Sequence, residues 1–184
     1  MRLPAGRAAS GPLAGDALIA LGSNLADPAA QLRQAVRALG ELGSVRGVSG
    51  VYRTVPVGGP AGQPAYLNAV LALSPRAPYD DPGLLLAALL EAERRQGRER
   101  RQRWAARTLD LDLLAYGDRV LQGPDLVLPH PRMMERAFVL APLCELAPAW
   151  RHPITGEGAC DALSRLPQGG VERLEAGLGM EDGG

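Results

Sequence analysis

The sequence predicts an α+β domain, an antiparallel sheet with helices on both faces and a C-terminal addition. Three observations carry this. Short apolar runs of strand length alternate with two helix-length segments, each opened by an Asp-Pro pair and closed by a glycine. The order is strand, helix, strand, strand, helix, strand, the βαββαβ pattern of ferredoxin-like sheets, whose helices pack on one face; the addition is expected to cover the other. The 184 residues are 46% apolar and 22% charged, ordinary for one globular domain with its own core.

The elements follow in order. Asp16–Leu21 is an apolar run ended by Gly22 and reads as a buried strand. In the next segment Asp27 is the N-cap, Pro28 takes the first helical position and Gly43 lies past the end, with Leu32, Val36, Leu39 and Leu42 on one face. Val45–Thr54 is a second strand. Val55–Pro64 holds three Gly and three Pro and reads as a long loop able to move. Tyr66–Ser74 is a third strand. Asp81, Pro82 and Gly97 repeat the helix punctuation. An arginine-rich loop leads into the strand Leu109–Tyr116. Leu126–His130 reads as a further strand, and Pro131 opens a helical region to about Leu146, interrupted near Pro142. Residues 1–15 are expected to be a disordered leader, 16–154 the domain, and 155–184 a loosely ordered tail.

Composition removes several classes of function. Net charge is zero, so the molecule as a whole has no pull toward nucleic acid or anionic lipid. All 20 basic residues are arginine. Without lysine there is no Walker-A phosphate loop and no Schiff-base chemistry, so phosphate contacts fall to guanidinium forks, backbone amides and metal. No apolar run approaches the ~18 residues of a membrane helix. Cys144 and Cys160 are too few and too far apart for a disulfide framework or a thiolate zinc site. They are expected as free thiols in a reducing, cytoplasmic compartment.

The chemistry concentrates in Arg103–Gly117. Residues two apart on a strand share a face, so Asp110 and Asp112 lie together, Cα atoms roughly 6.5–7 Å apart, while Leu109, Leu111 and Leu113 face the core. Two carboxylates so placed can flank two divalent ions ~3.5–4 Å apart, as in phosphoryl-transfer sites. Magnesium suits hard oxygen donors completed by water and phosphate. A D-x-D alone also fits a solvated strand face. The preceding loop argues against that reading. Arg94–Arg107 carries seven arginines and one acid, Glu99, a density that repels itself unless a polyanion neutralises it.

These residues resemble a known family. RWAARTLDLDLL is similar to the signature of the 6-hydroxymethyl-7,8-dihydropterin pyrophosphokinases, and so are ALGSNL, VYRTVPVG, QPAYLNAV, EAERRQGRERRQRW and LPHPRMMERAFVLAPLCELAP, in the family's order, over about Ala17–Trp150. The resemblance implies a ferredoxin-like α/β fold and transfer of pyrophosphate from MgATP to the pterin hydroxymethyl group, releasing AMP, in folate biosynthesis. It implies ATP as co-substrate and two Mg2+ ions at Asp110 and Asp112. It implies that Arg98 and Arg107 close over the phosphates and assist transfer, that Arg100, Arg103, Trp104, His130 and Arg136 face the nucleotide, and that Glu93 supports that side. It implies a pterin ring between Tyr66 and Phe138, read at its polar edge by Asn68, lined by Thr54, Val55 and Val57, and covered by Trp104. The aromatic assignments also make sense by residue type, since the chain has a single Phe and a flat heterocycle needs stacking surfaces with a few placed polar groups.

The chain departs from the family pattern at Ala105 and Ala106, where Gly-Pro is frequent, and at Val55, Arg101, Asp125 and Pro131. The expected partners are the two small molecules alone, with no nucleic acid and no membrane, and the expected state is a monomer. Two rival functions share part of this pattern. An RNA-binding ferredoxin-like module needs base-stacking aromatics on its sheet face, and no such run is present. A metal nuclease would use the same D-x-D but has no reason to carry Tyr66, Asn68 and Phe138.

Overall fold

The computed structural model describes residues 13, 15–55, 62–96, 108–167, 169–175 and 178. The first half runs β1 (Ala17–Ser23), α1 (Pro28–Gly40), β2 (Gly43–Val48), β3 (Tyr52–Thr54), β4 (Tyr66–Pro75), α2 (Pro82–Arg95) and β5 (Asp110–Tyr116). There follow a small hairpin, β6 (Leu121–Gln122) and β7 (Val127–Leu128), a 3-10 turn (Met133–Glu135), α3 (Ala137–Leu146), α4 (Ala159–Arg165) and β8 (Val171–Arg173). The main sheet has the order β5-β1-β4-β3-β8, with β2 also paired to β4. All its ladders are antiparallel.

Local rules explain both early helices. The Asp27 carboxylate accepts the Ala30 N–H at 3.0 Å, and Asp81 accepts that of Leu84 at 2.9 Å, each satisfying an amide that the first turn leaves without a partner. A proline sits in the first turn of each, where a missing N–H costs nothing.

Strand periodicity then divides the core. Ala17, Ile19 and Leu21 of β1, Leu71 and Leu73 of β4, and Leu109, Leu111 and Leu113 face one way, onto Leu32, Val36 and Leu39 of α1 and Leu85 and Leu89 of α2. Leu18, Val70, Ala72 and Leu114 face the other way, onto Val139, Leu140 and Leu143 of α3 and Ala159 and Ala162 of α4. Each fully buried leucine contributes roughly 1.5–3 kcal/mol. A bulge in the β1–β5 ladder makes Leu18 face Ala115 and Ile19 face Leu113. Leu114 is the extra residue, so Leu114 and Ala115 both turn to the α3 side.

Four expectations need correction. The strand expected over Val45–Thr54 is two strands. Ser49 breaks the ladder by taking the Val70 N–H on its own hydroxyl at 2.9 Å. The helix expected from Pro131, interrupted near Pro142, begins at Ala137 and runs through a buried Pro142, because packing on the sheet outweighs the lost backbone bond. The tail expected to be loose after Thr155 instead forms α4, which buries Ala159 and Ala162, and β8, which extends the sheet beyond β3. Cys144 and Cys160, expected as free thiols, form a disulfide between α3 and α4 with Cα atoms 5.2 Å apart. The turn between the helices brings the two residues together, which their spacing of 16 does not reveal. Among the described residues no helix is long and apolar enough to cross a membrane.

Candidate active site

The site lies where β1 ends between β4 and β5. Gly22, read from sequence as the end of the first strand, is inside it: β1 continues to Ser23, and Gly22 pairs with Asn68 on one side and Asp110 on the other. A Cβ at Gly22 would stand 3.1 Å from Asn68 Oδ1 and 3.9 Å from Asp110 Cβ. The missing side chain leaves a floor on which an amide and a carboxylate meet the same open space. That space is a cleft of about 740 Å³.

One side of the cleft is acidic and cationic together. Asp110 and Asp112 lie on the face of β5 opposite Leu109, Leu111 and Leu113, and both line the cleft. Arg136, between the 3-10 turn and α3, places Nη1 3.6 Å from Asp112 Oδ2. Burial lowers the Arg136 pKa, and the Asp112 charge opposes that shift. His130 is held by its own N–H, which donates to the Leu114 carbonyl at 2.7 Å. The Arg132 N–H donates to His130 Nδ1 at 3.1 Å, so the neutral ring carries its proton on Nε2, a donor available to an anion. Burial pushes the His130 pKa down, Asp112 opposes this, and Arg136 and Arg132 add to it. Burial therefore favours the neutral ring.

Glu93, expected in support of the nucleotide side, lies on α2. It does not line the cleft. It is 1% exposed on α2 and accepts the Leu111 N–H at 2.8 Å. Leu111 lies between the two aspartates, so Glu93 fixes the backbone that carries both.

The other side suits a flat, polar-edged ring. Tyr66 and Asn68, two apart on β4, share the cleft face, and Phe138 enters from the first turn of α3. The Asn68 Nδ2 donates to Thr54 Oγ1 at 2.8 Å, and both residues are buried, so the amide is held in one orientation. Arg136 Cζ lies 5.8 Å from the Phe138 ring centroid, which links the two sides. Val55 lines the cleft at the end of β3 and is 63% exposed. Val57, Arg98, Arg100, Arg103, Trp104 and Arg107 lie outside the described residues.

Several contributors were missed from sequence. Gly22 looked like a terminator. Ser23 and Asn24, to which the sequence reading gives no role, are both buried. Ser23 Oγ donates to the Thr108 carbonyl at 2.6 Å and Asn24 Nδ2 to the Pro64 carbonyl at 3.2 Å. Two adjacent polar residues directly after Gly22 were the available signal. Leu166, Gly170 and Val171, from the supposed tail, also line the cleft, and nothing local marks them.

The donor set of the carboxylate pair limits the metal it can hold. Among the described residues no group of three His, Cys, Asp or Glu converges on one point. Asp110 and Asp112 offer hard oxygen donors on an accessible face but cannot complete a coordination sphere alone. They fit Mg2+, which keeps several waters and takes substrate phosphate oxygens to fill its octahedron.

The family model described as 7,8-dihydro-6-hydroxymethylpterin-pyrophosphokinase matches residues 18–148. A Pseudomonas aeruginosa 2-amino-4-hydroxy-6-hydroxymethyldihydropteridine pyrophosphokinase is 46% identical over 85% of this chain and 94% of its own length. Proteins of the same name from Haemophilus influenzae and Bacillus subtilis are 44% and 42% identical, each over 71% of this chain and over 81% and 77% of their own lengths. Among solved structures, wild-type Plasmodium falciparum HPPK-DHPS with pteroate superposes with a TM-score of 0.64 at 12% identity, over 81% of this chain. The match spans 44% of that longer polypeptide, so it speaks to the fold alone. Family match and curated relatives agree along most of the sequence, and the chain belongs to the 7,8-dihydro-6-hydroxymethylpterin-pyrophosphokinase family.

Proposed function

We propose that the protein transfers pyrophosphate from MgATP to the hydroxymethyl group of 6-hydroxymethyl-7,8-dihydropterin, releasing AMP, as a step of folate biosynthesis. One observation carries this beyond family membership. The aspartate pair and the Tyr66, Asn68 and Phe138 set open into the same cleft from one face of one sheet. A ring held on one side therefore presents its substituent to a triphosphate held on the other.

In this reading Asp110 and Asp112 hold two Mg2+ ions. The ions, when bound, neutralise the charge that develops on the transferred phosphates. Arg136 exchanges Asp112 for phosphate oxygens, and His130 Nε2 donates to the triphosphate. Arg98, Arg100, Arg103 and Arg107 grip the same anion, and Trp104 covers the site. Glu93 acts at one remove, through the backbone of Leu111. Tyr66 and Phe138 sandwich the pterin, Asn68 reads its polar edge, and Thr54, Val55 and Val57 line its pocket. Catalysis is then mainly alignment plus electrostatic stabilisation, with no covalent protein intermediate.

The antiparallel order with helices on each face supports a ferredoxin-like assignment for the core. Both sheet faces are covered, one by α1 and α2 and the other by α3 and α4. That favours a small-molecule site over an RNA platform, which needs an open sheet face. The deciding experiment mixes protein, MgATP and 6-hydroxymethyl-7,8-dihydropterin and follows the nucleotide product. AMP formation dependent on the pterin is expected. ADP, or no turnover, would overturn the reading.

A further inference from the structure

The family match ends at residue 148, yet the cleft has a wall built after it. β8 pairs with β3 so that Val171 faces Thr54, Glu172 faces Arg53 and Arg173 faces Tyr52. The ladder is flanked by two further backbone bonds, Val55 N–H to the Gly170 carbonyl at 3.1 Å and Leu174 N–H to the Val51 carbonyl at 2.8 Å. Thr54 and Val55 are two of the residues assigned above to the pterin, so this segment borders that half of the cleft and not the aspartates.

Gly170 makes the closest approach. Its φ is +83°, a conformation that side chains disfavour, and a Cβ there would come within 2.9 Å of Val55 Cγ2. The bare backbone of Gly170 thus lies beside the Val55 side chain, and any side chain at this position would press on Val55 Cγ2. Leu166 and Val171 add apolar surface on either side.

The wall is anchored independently of anything it binds. Arg173 donates to Glu145 on α3 through two nitrogens, Nε to Oε2 at 3.1 Å and Nη2 to Oε1 at 2.9 Å. Tyr52 OH donates to Glu145 Oε2 at 2.7 Å and Gly50 N–H to Oε1 at 3.2 Å. The Cys144–Cys160 disulfide ties α4, just before the wall, to the same helix. Two consecutive residues in the last turn of α3, Cys144 and Glu145, therefore anchor the chain before and after the wall.

We propose that Leu166, Pro167, Gly169, Gly170 and Val171 form a specificity wall for the pterin, with Gly170 as a positioning residue that fixes Val55 against the bicyclic ring. The proposal rests on the functional reading above and adds a contributor to substrate selection from outside the matched family region. Its physical content is a separation of effects. Changes in the wall alter how the ring is held and leave the triphosphate side alone.

The test uses two variants of the full chain, Gly170→Val and Val171→Ala, each checked for folding by circular dichroism. Readouts are the KM for the pterin, the KM for ATP and kcat. Gly170→Val displaces Val55, and a displacement of about 1 Å near a reacting group lowers kcat/KM for the pterin by about 10²-fold. Val171→Ala only trims apolar surface, and about a tenfold loss in the same parameter is expected. The KM for ATP stays unchanged in both. A purely structural role would instead raise both KM values together. If Gly170→Val does not fold, Val171→Ala decides alone. The proposal stands if a folded variant shows the split and falls if none does. Wild-type protein that releases no AMP would sink the functional reading, a result distinct from a working enzyme whose pterin KM ignores the wall.

Discussion

The two sides of the cleft are built on different principles. The phosphate side is compact in sequence. Asp110 and Asp112 come from one strand, and Arg136 and His130 from one short segment that follows it. Their spacing is a property of the strand itself, backed by a leucine core and by the bond from Leu111 to Glu93. The side proposed for the pterin is assembled from separate places: Thr54 and Val55 at the end of β3, Tyr66 and Asn68 in β4, Phe138 in α3, and Gly170 and Val171 after α4. Such a surface exists only when four segments are docked, and the protein spends a disulfide and a four-way carboxylate contact on docking the last of them. Rigid chemistry is written along one strand, while recognition is distributed and depends on anchors.

The strongest way to break this contrast is at the strand. Asp112→Ala removes one of the two proposed metal ligands and the Arg136 partner. Loss of about 4 kcal/mol of transition-state stabilisation, or about 10³-fold in kcat, is expected in an AMP-release assay with the KM for the pterin little changed. Near-normal turnover would contradict the role given to Asp112.

The next largest effect targets the anchors. Replacing Cys144 and Cys160 together by serine opens a loop of 16 residues and should lower unfolding free energy by about 3 kcal/mol in denaturant titrations. The same loss should appear on adding a reductant to the unmutated protein. If α4 is truly the tether of the wall, the pterin KM rises more than the ATP KM; equal changes would erase the distinction between the two sides.

A third variant sharpens the strand side. Glu93→Ala leaves the buried Leu111 N–H unsatisfied, a penalty of about 1–3 kcal/mol. Both stability and kcat should fall, with the pterin KM as the least affected quantity. The smallest effect concerns pH. Hydrogen bonds from Arg173 lead in lowering the Glu145 pKa from its ordinary 4.5 to about 2, burial opposing them. A carboxylate depressed on folding gives stability that is complete above pH 4.5 and lost as pH falls through about 2. Acid titration should thus loosen the wall within that window, and Glu145→Gln should remove that part of the acid dependence. Burial, then the hydrogen bond to the Glu145 carboxylate, pushes the Tyr52 phenol up to about 12, so it remains a donor throughout.

Much of this was legible from residues alone because the responsible forces are local. The Asp-Pro caps marked both early helices, since a first-turn amide needs an acceptor only a few residues away. The alternation of Leu109, Leu111 and Leu113 with Asp110 and Asp112 set the two faces of β5, since successive side chains on a strand must point to opposite sides. The family motifs identified Tyr66, Asn68, His130, Arg136 and Phe138, and all five line the cleft.

Tertiary structure decided the rest. Gly22 looked like a stop signal, because its purpose appears only when Asn68 and Asp110 stand on either side of it. The cysteines looked like free thiols, because a pairing across a turn is a fact about distance in space. The last thirty residues looked loose, because β8 has little burial of its own and is held by β3, Glu145 and the disulfide. Local pattern determines which way a side chain faces and where an element starts. Which distant segment meets it is set by packing across the whole sheet, and that is what brings Gly170 and Val171 to the cleft.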